Sequence, residues 1–241
     1  MRKQSLERLL YVWSVRHPAS GYVQGMNDLA TPFMLVFFAP LHPPPFDASS
    51  ATGSLASAPA PASDIHLSAF HADTLTAAEL LEREADCFWC LSRLLDGIQD
   101  HYVFAQPGIQ RGIYKLRELV ARIDAPLVAH LEAQGLMFIQ FAFRWMNNML
   151  MREFPLPLVV RLWDTYMAED DDDGFSVFHV YVCAAFVLTW AAPLKELEFQ
   201  ELMMFMQNLP TRAWAEKEIE TLVSQAFVYK SLYHNAPNHL Q

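Results

Sequence analysis

Leu136-Met137-Phe138-Ile139-Gln140-Phe141-Ala142-Phe143-Arg144-Trp145-Met146-Asn147-Asn148-Met149-Leu150-Met151 is apolar on nearly every side of a helical wheel. A helix with no polar face must be surrounded by protein, so this stretch predicts a core helix with other helices around it. On its N-terminal side, Asp124-Ala125-Pro126 opens a short helix that Gly135 closes. On its C-terminal side, Pro155-Leu156-Pro157 separates it from a further helix over 158–167. The apolar run 175–190, interrupted by Ser176, His179 and Thr189, is short for a membrane span and predicts a central buried helix.

The same periodicity extends outward. Ile109, Ile113, Leu116, Leu119, Val120 and Ile123 define one helix. Leu80, Glu84, Cys87, Phe88, Leu91, Leu94 and Leu95 share a face of another, opened by the capping-box pattern Thr76-Ala77-Ala78-Glu79 and ended near Gly97. Leu6, Leu9, Leu10 and Trp13 mark an N-terminal helix that His17-Pro18 stops. Two more helices are predicted around 199–206 and 214–229, and no strand-like alternation or internal repeat is found. The fold class is all-α, in many helices. Residues 40–68 depart from this pattern: six of the fifteen prolines lie between Pro40 and Pro61 among Ala and Ser, which predicts a disordered, low-complexity insertion.

Composition narrows the function. The chain has 241 residues, 53% of them hydrophobic and only 18% charged, enough for a substantial core. Three cysteines argue against a disulfide scaffold and fit a reducing compartment. The formal charge of −10 argues against non-specific binding to nucleic acid or anionic membranes. No secretory signal or transmembrane segment is read, so a soluble, cytoplasmic protein is expected.

Several motifs point to chemistry and then fail. Cys87-Phe88-Trp89-Cys90 has redox or half-zinc-site spacing, but the other cysteine is the isolated Cys183, so core packing is the better reading. Glu169-Asp170-Asp171-Asp172-Asp173-Gly174 faintly resembles a calcium loop, yet the twelfth position is Val180, and a solvated acidic turn is favoured. The nine histidines have no ligand spacing, and no phosphate loop or hydrolase motif occurs; no metal or cofactor is expected.

One loop stands apart. Gly21-Tyr22-Val23-Gln24-Gly25-Met26-Asn27-Asp28-Leu29 lies between the N-terminal helix and the apolar run 33–38. A glutamine presented there offers a carbonyl and an amide that can hold an attacking water and a phosphoryl oxygen together. Alone, Gln before Gly is a common loop pair, and a plain turn is the better reading.

The company that loop keeps changes this. Phe143-Arg144-Trp145-Met146, Met151-Arg152-Glu153-Phe154-Pro155 and Arg161-Leu162-Trp163-Asp164 follow it in order. The succession resembles the TBC domain, the all-helical GTPase-activating module for Rab GTPases. The strings 21–29, 95–100, 140–153 and 236–239 are similar to its Golgi-associated branch. The resemblance covers nearly the whole chain except 40–68, as a partial TBC domain over 1–241. It implies peripheral placement at Golgi or other endomembranes and a Rab-family GTPase as partner, with GTP and magnesium belonging to that partner. It makes Gln24 the glutamine finger, with Tyr22 and Gly25 shaping its loop. Asn27 and Asp28 cap or brace the following helix. Arg144 and Arg152 belong to the domain's signature, either as partner contacts or in internal salt bridges, with Glu153 or Asp164 as expected pairing groups. Trp145 and Trp163 are expected to be core anchors.

The family's second finger is an arginine from an Ile-x-x-Asp-x-x-Arg motif, which occurs nowhere in these 241 residues. The motif belongs upstream of Tyr22, so the N-terminal part of the domain is expected to be missing. Arg16 lies near the loop in sequence, with no motif around it, and reads as a surface arginine. Two further readings follow: a Rab-binding adaptor that does not accelerate hydrolysis, and a fragment that folds poorly because apolar surface is left uncovered.

Overall fold

The structure is a computed structural model that describes residues 2–38, 75–169 and 174–234. The expected insertion at 40–68, most of the acidic turn and the string 236–239 lie outside the described residues. Every regular element among the described residues is helical, as the periodicity predicts. The chain divides into two compact units, residues 1–92 and 93–241.

The first unit contains α1 (Arg2–Arg16), α2 (Met26–Phe38) and most of α3 (Ala77–Gly97). Leu9 and Trp13 of α1 are buried, as are Met26, Leu29, Phe33 and Phe38 of α2. The expected capping box is present: Glu79 N–H donates to Thr76 Oγ1, and Thr76 N–H donates to the Glu79 carboxylate at 2.8 Å. Glu84 occupies an otherwise apolar face because Arg8 of α1 reaches it, Nε donating to Oε2 at 3.0 Å. Burial opposes ionisation there, but bonds from Arg8 and Ser5 outweigh it and hold Glu84 below the usual carboxylate range. Arg83 donates to the carbonyl of Phe37 and ties α3 to the end of α2.

The second unit is built around α8 (Gly174–Thr189), against which α4 (Pro107–Ile123), α7 (Leu156–Met167) and α11 (Glu216–Tyr233) pack. Helices α5 (Ala125–Ala133) and α6 (Ile139–Asn148) join α4, the short α9 (Ala191–Leu194) joins α5 and α8, and α10 (Phe199–Gln207) joins α6. A one-turn 3₁₀ helix, Gln99–His101, leads into α4. Phe178, Val182, Cys183, Ala184, Phe186 and Val187 are all inaccessible, which explains why α8 has no polar face. Phe186 meets Trp145 at 5.1 Å and Phe154 at 5.0 Å, and Phe154 stacks on Trp214 at 5.4 Å. Trp145 and Trp163 are core anchors, as expected.

Three boundaries differ from the sequence expectation. The stretch 136–151 is helical only over Ile139–Asn148, because Met149 and Leu150 adopt left-handed φ of 52° and 62°. Pro157 lies in the first turn of α7 rather than in a linker, where its missing N–H has no helical partner to lose. Trp214 precedes α11, its ring committed to the aromatic cluster.

Gly108 in the first turn of α4 sits so close to Asp100 Oδ1 and the His101 ring that a Cβ would overlap both. Gly108→Ala is therefore expected to destabilise the protein by about 1–3 kcal/mol, read as a lower thermal midpoint. A midpoint equal to the parent's would refute the close packing.

His179 of α8 is enclosed. Its Nε2–H donates to the carbonyl of Trp145, and Nδ1 accepts from the Tyr166 hydroxyl, both at 3.0 Å. Burial, with a smaller effect from His101, pushes its pKa down to about 3. The folded value lies below the unfolded value of about 6.5, so the contribution to stability is complete above that pH. It is lost as pH falls toward 3, at up to about 1.4 kcal/mol per pH unit. Urea unfolding at pH 7 and pH 5 is expected to show a loss of about 2 kcal/mol, with a shallower slope in His179→Gln. Equal slopes would place the titration elsewhere.

Candidate functional site

The loop between α1 and α2 is anchored at both ends. Trp13 and His17 stack at 4.2 Å, and Gly21 N–H donates to the carbonyl of His17 at 2.8 Å. Gly21 takes φ +60° and Gly25 φ +110°, conformations that strain any L side chain. Between them the chain turns sharply: Met26 N–H donates to Val23 O at 3.2 Å, and Asp28 N–H to Gly25 O at 3.0 Å. Met26 is fully buried and pins the start of α2.

Asn27 organises the turn. Its Oδ1 accepts from the Tyr22 hydroxyl at 3.2 Å and from Gly25 N–H at 3.3 Å, while its Nδ2 donates to Asp28 Oδ1 at 2.9 Å. Asn27 thus braces the loop backward onto Tyr22 and Gly25. Tyr22, Gly25, Asn27 and Asp28 are brought together, and Gln24 stands at the apex, exposed and without a hydrogen bond among the described residues. A rigid collar around one unengaged amide costs little ordering when that amide meets a partner.

Arg16 is exposed, its guanidinium 5.9 Å and 6.0 Å from the ring centroids of Phe88 and Trp89. It covers aromatic surface of α3, as a surface arginine does. The thiols beside those rings are both free. Burial chiefly pushes Cys87 up to about 12 and raises Cys90, so neither is a ready nucleophile.

Arg144 and Arg152 belong to the second unit. Arg144 donates from Nε and Nη2 to the two carboxylate oxygens of Glu153 at 2.6 and 2.8 Å. That is the internal salt bridge expected from the sequence. Arg152 is exposed and lines a cleft of about 960 Å³ with Arg144, Glu153 and the loop 207–213. Arg212, on the same cleft, has no sequence motif around it and was not anticipated. No helix among the described residues is long and apolar enough to cross a membrane.

Comparison with known proteins gives these features a context. Residues 1–195 match the Rab-GTPase-TBC domain family. The chain is 48% identical over its whole length to the GTPase-activating protein gyp1 of Schizosaccharomyces pombe, covering 43% of that protein. It is 48% identical over 97% of its length to human TBC1 domain family member 22A, covering 41% of it. The crystal structure of the Ypt/Rab-GAP domain of Gyp1p superposes with a TM-score of 0.81 at 46% identity, over 95% of this chain and 66% of that one. The chain thus spans less than half the length of these curated relatives. With a family match over most of its residues and an all-helical fold shared with a solved member, this chain belongs to the Rab-GTPase-TBC domain family.

Proposed function

We propose that the chain supplies the glutamine half of a GTPase-activating apparatus acting on a Rab-family GTPase. Gln24 enters the partner's nucleotide site, where its amide holds the attacking water against the γ-phosphate. GTP and magnesium are the partner's, and this chain contributes no cofactor. The observation that carries the reading is the unengaged Gln24 amide at the apex of a loop held by Gly21, Gly25 and Asn27. The relatives' names as GTPase-activating proteins agree with it, and the resemblance to the Golgi-associated branch supports proposing a place at Golgi or other endomembranes. The arginine that would neutralise charge on the transferred group comes from outside these 241 residues, because Ile-x-x-Asp-x-x-Arg does not occur in them.

Single-turnover GTP hydrolysis across a Rab panel tests this, comparing the chain alone with a version preceded by a segment carrying that motif. The extended version is expected to be faster by about 10³-fold or more, the contribution of an arginine finger. Full stimulation by the chain alone would overturn the missing-arginine argument. The absent motif also favours a second reading, an adaptor that binds Rab without catalysis. Unchanged binding with no stimulation in either version would establish the adaptor and refute the glutamine-finger role.

A further inference from the structure

We propose that the cleft between α4 and the start of α8, within the second unit, binds a neutral ligand carrying a vicinal diol, a sugar in class, independently of the GTPase-activating reading. The cleft, of about 970 Å³, has the size of a small-molecule site and takes in the turn at 99–101. His101 lies in its wall and is only 5% exposed. Its Nδ1 stands 3.2 Å from the carbonyl of Met146; a carbonyl only accepts, so Nδ1 carries the hydrogen and Nε2 keeps a lone pair. That Nε2 has no hydrogen bond among the described residues. His179, which lines the same cleft, has both nitrogens engaged. Burial chiefly lowers the pKa of His101, so the ring is neutral at pH 7 and Nε2 remains an acceptor. Buried acceptors are ordinarily satisfied, and this one calls for a donor from outside the fold.

A second open acceptor lies beside it. Asp100 receives Arg111 on Oδ2, while its Oδ1 has no hydrogen bond among the described residues. Oδ1 and the His101 ring both crowd the position that a Cβ of Gly108 would take, so the two acceptors are near neighbours. Two adjacent acceptors match two adjacent hydroxyls. Among the described residues no trio of His, Cys, Asp or Glu is placed to hold a metal ion. The charges on the cleft argue against an ionic ligand as well, because Arg111, Lys115 and Arg122 stand with Asp96, Asp100 and Glu118, three of each sign. A hydroxyl both donates and accepts, so a diol suits a wall on which carboxylates and cations are neighbours. Tyr114, exposed on the same wall, offers a ring to the apolar face of a sugar.

The test is a titration of the ¹⁵N-labelled chain with methyl ribofuranoside at pH 7, followed by NMR of the imidazole nitrogens. The 2-deoxy counterpart, which has no vicinal diol, is the control. Saturable movement of His101 Nε2 with the riboside is expected, with both nitrogens of His179 unmoved and no saturation by the 2-deoxy sugar. The Asp100 side chain is 39% exposed, so Asp100→Asn is expected to fold, and it should weaken binding by about tenfold. Tyr114→Ala alters an exposed ring and should weaken binding by about threefold while His101 Nε2 still responds. No saturable movement of His101 Nε2 would overturn the proposal and leave the cleft to water. Equal binding of the 2-deoxy sugar, or parent-like affinity in a folded Asp100→Asn variant, would overturn it too.

Discussion

Replacing Gln24 by alanine, in a version of the chain that also carries the arginine segment, is expected to slow stimulated GTP hydrolysis by about 10²–10³-fold. That is the usual effect of removing one preorganised polar group from a transition state. Under the proposed glutamine-finger role, in which the amide would contact the reacting atoms rather than the docking surface, the loss should fall on the single-turnover rate at saturating chain concentration and only weakly on affinity. Folding gives no alternative explanation. Gln24 is exposed and bonds to nothing among the described residues, while the collar of Tyr22, Gly25 and Asn27 does not involve its side chain. Gln24→Asn keeps the amide but withdraws it by one methylene, so it should fall close to alanine. Gln24→Glu keeps the length but sets a carboxylate against the phosphates, and should do no better. A Gln24→Ala variant that stimulates within twofold of the parent would end the glutamine-finger proposal.

Much of this arrangement can be read in the sequence, and the exceptions share a physical origin. Helices with a single buried face declare themselves by period, as α3 and α4 do, and Thr76 with Glu79 marks a start by chemistry alone. Gly21 and Gly25 likewise signal the turn that presents Gln24. The end of α6 was hidden because Met149 and Leu150 take left-handed conformations that sequence rules reserve for glycine or asparagine. Both are fully buried, and Trp163 Nε1–H donates to the Met149 carbonyl at 3.1 Å, so tertiary packing holds a backbone that local preference disfavours. Asn27 is expected from the sequence to cap or brace the helix that follows it, whereas its contacts with Tyr22 and Gly25 show that it also braces the loop before that helix. Arg212 was illegible for a different reason: its cleft exists only where the loop at 207–213 meets residues 152–155, far away in sequence.

Arg144→Met is expected to cost about 2–4 kcal/mol of stability, below the full cost of breaking a buried pair because Arg144 is itself 34% exposed. The substitution keeps much of the side-chain volume but leaves Glu153 enclosed without its guanidinium, and removes a donor to the carbonyl of Met206 on α10. Burial already raises the pKa of Glu153 above the ordinary carboxylate value, with Arg144 and, more weakly, Arg152 pulling it down. Without Arg144 that pKa climbs further. A raised folded pKa contributes stability that is complete below the unfolded value and lost as pH rises through the folded one. The deficit of Arg144→Met should therefore be larger at pH 8 than at pH 5, opposite in sense to the titration of His179. Adding Glu153→Leu removes the stranded charge and should recover most of the loss at pH 8. Arg144→Met alone matching the parent's urea midpoint at both pH values would show that the pair contributes nothing to the fold. GTPase stimulation by the stabilised double variant then separates the two roles the sequence left open for Arg144: recovery with stability makes it structural, and persistent loss in a folded protein makes it a partner contact.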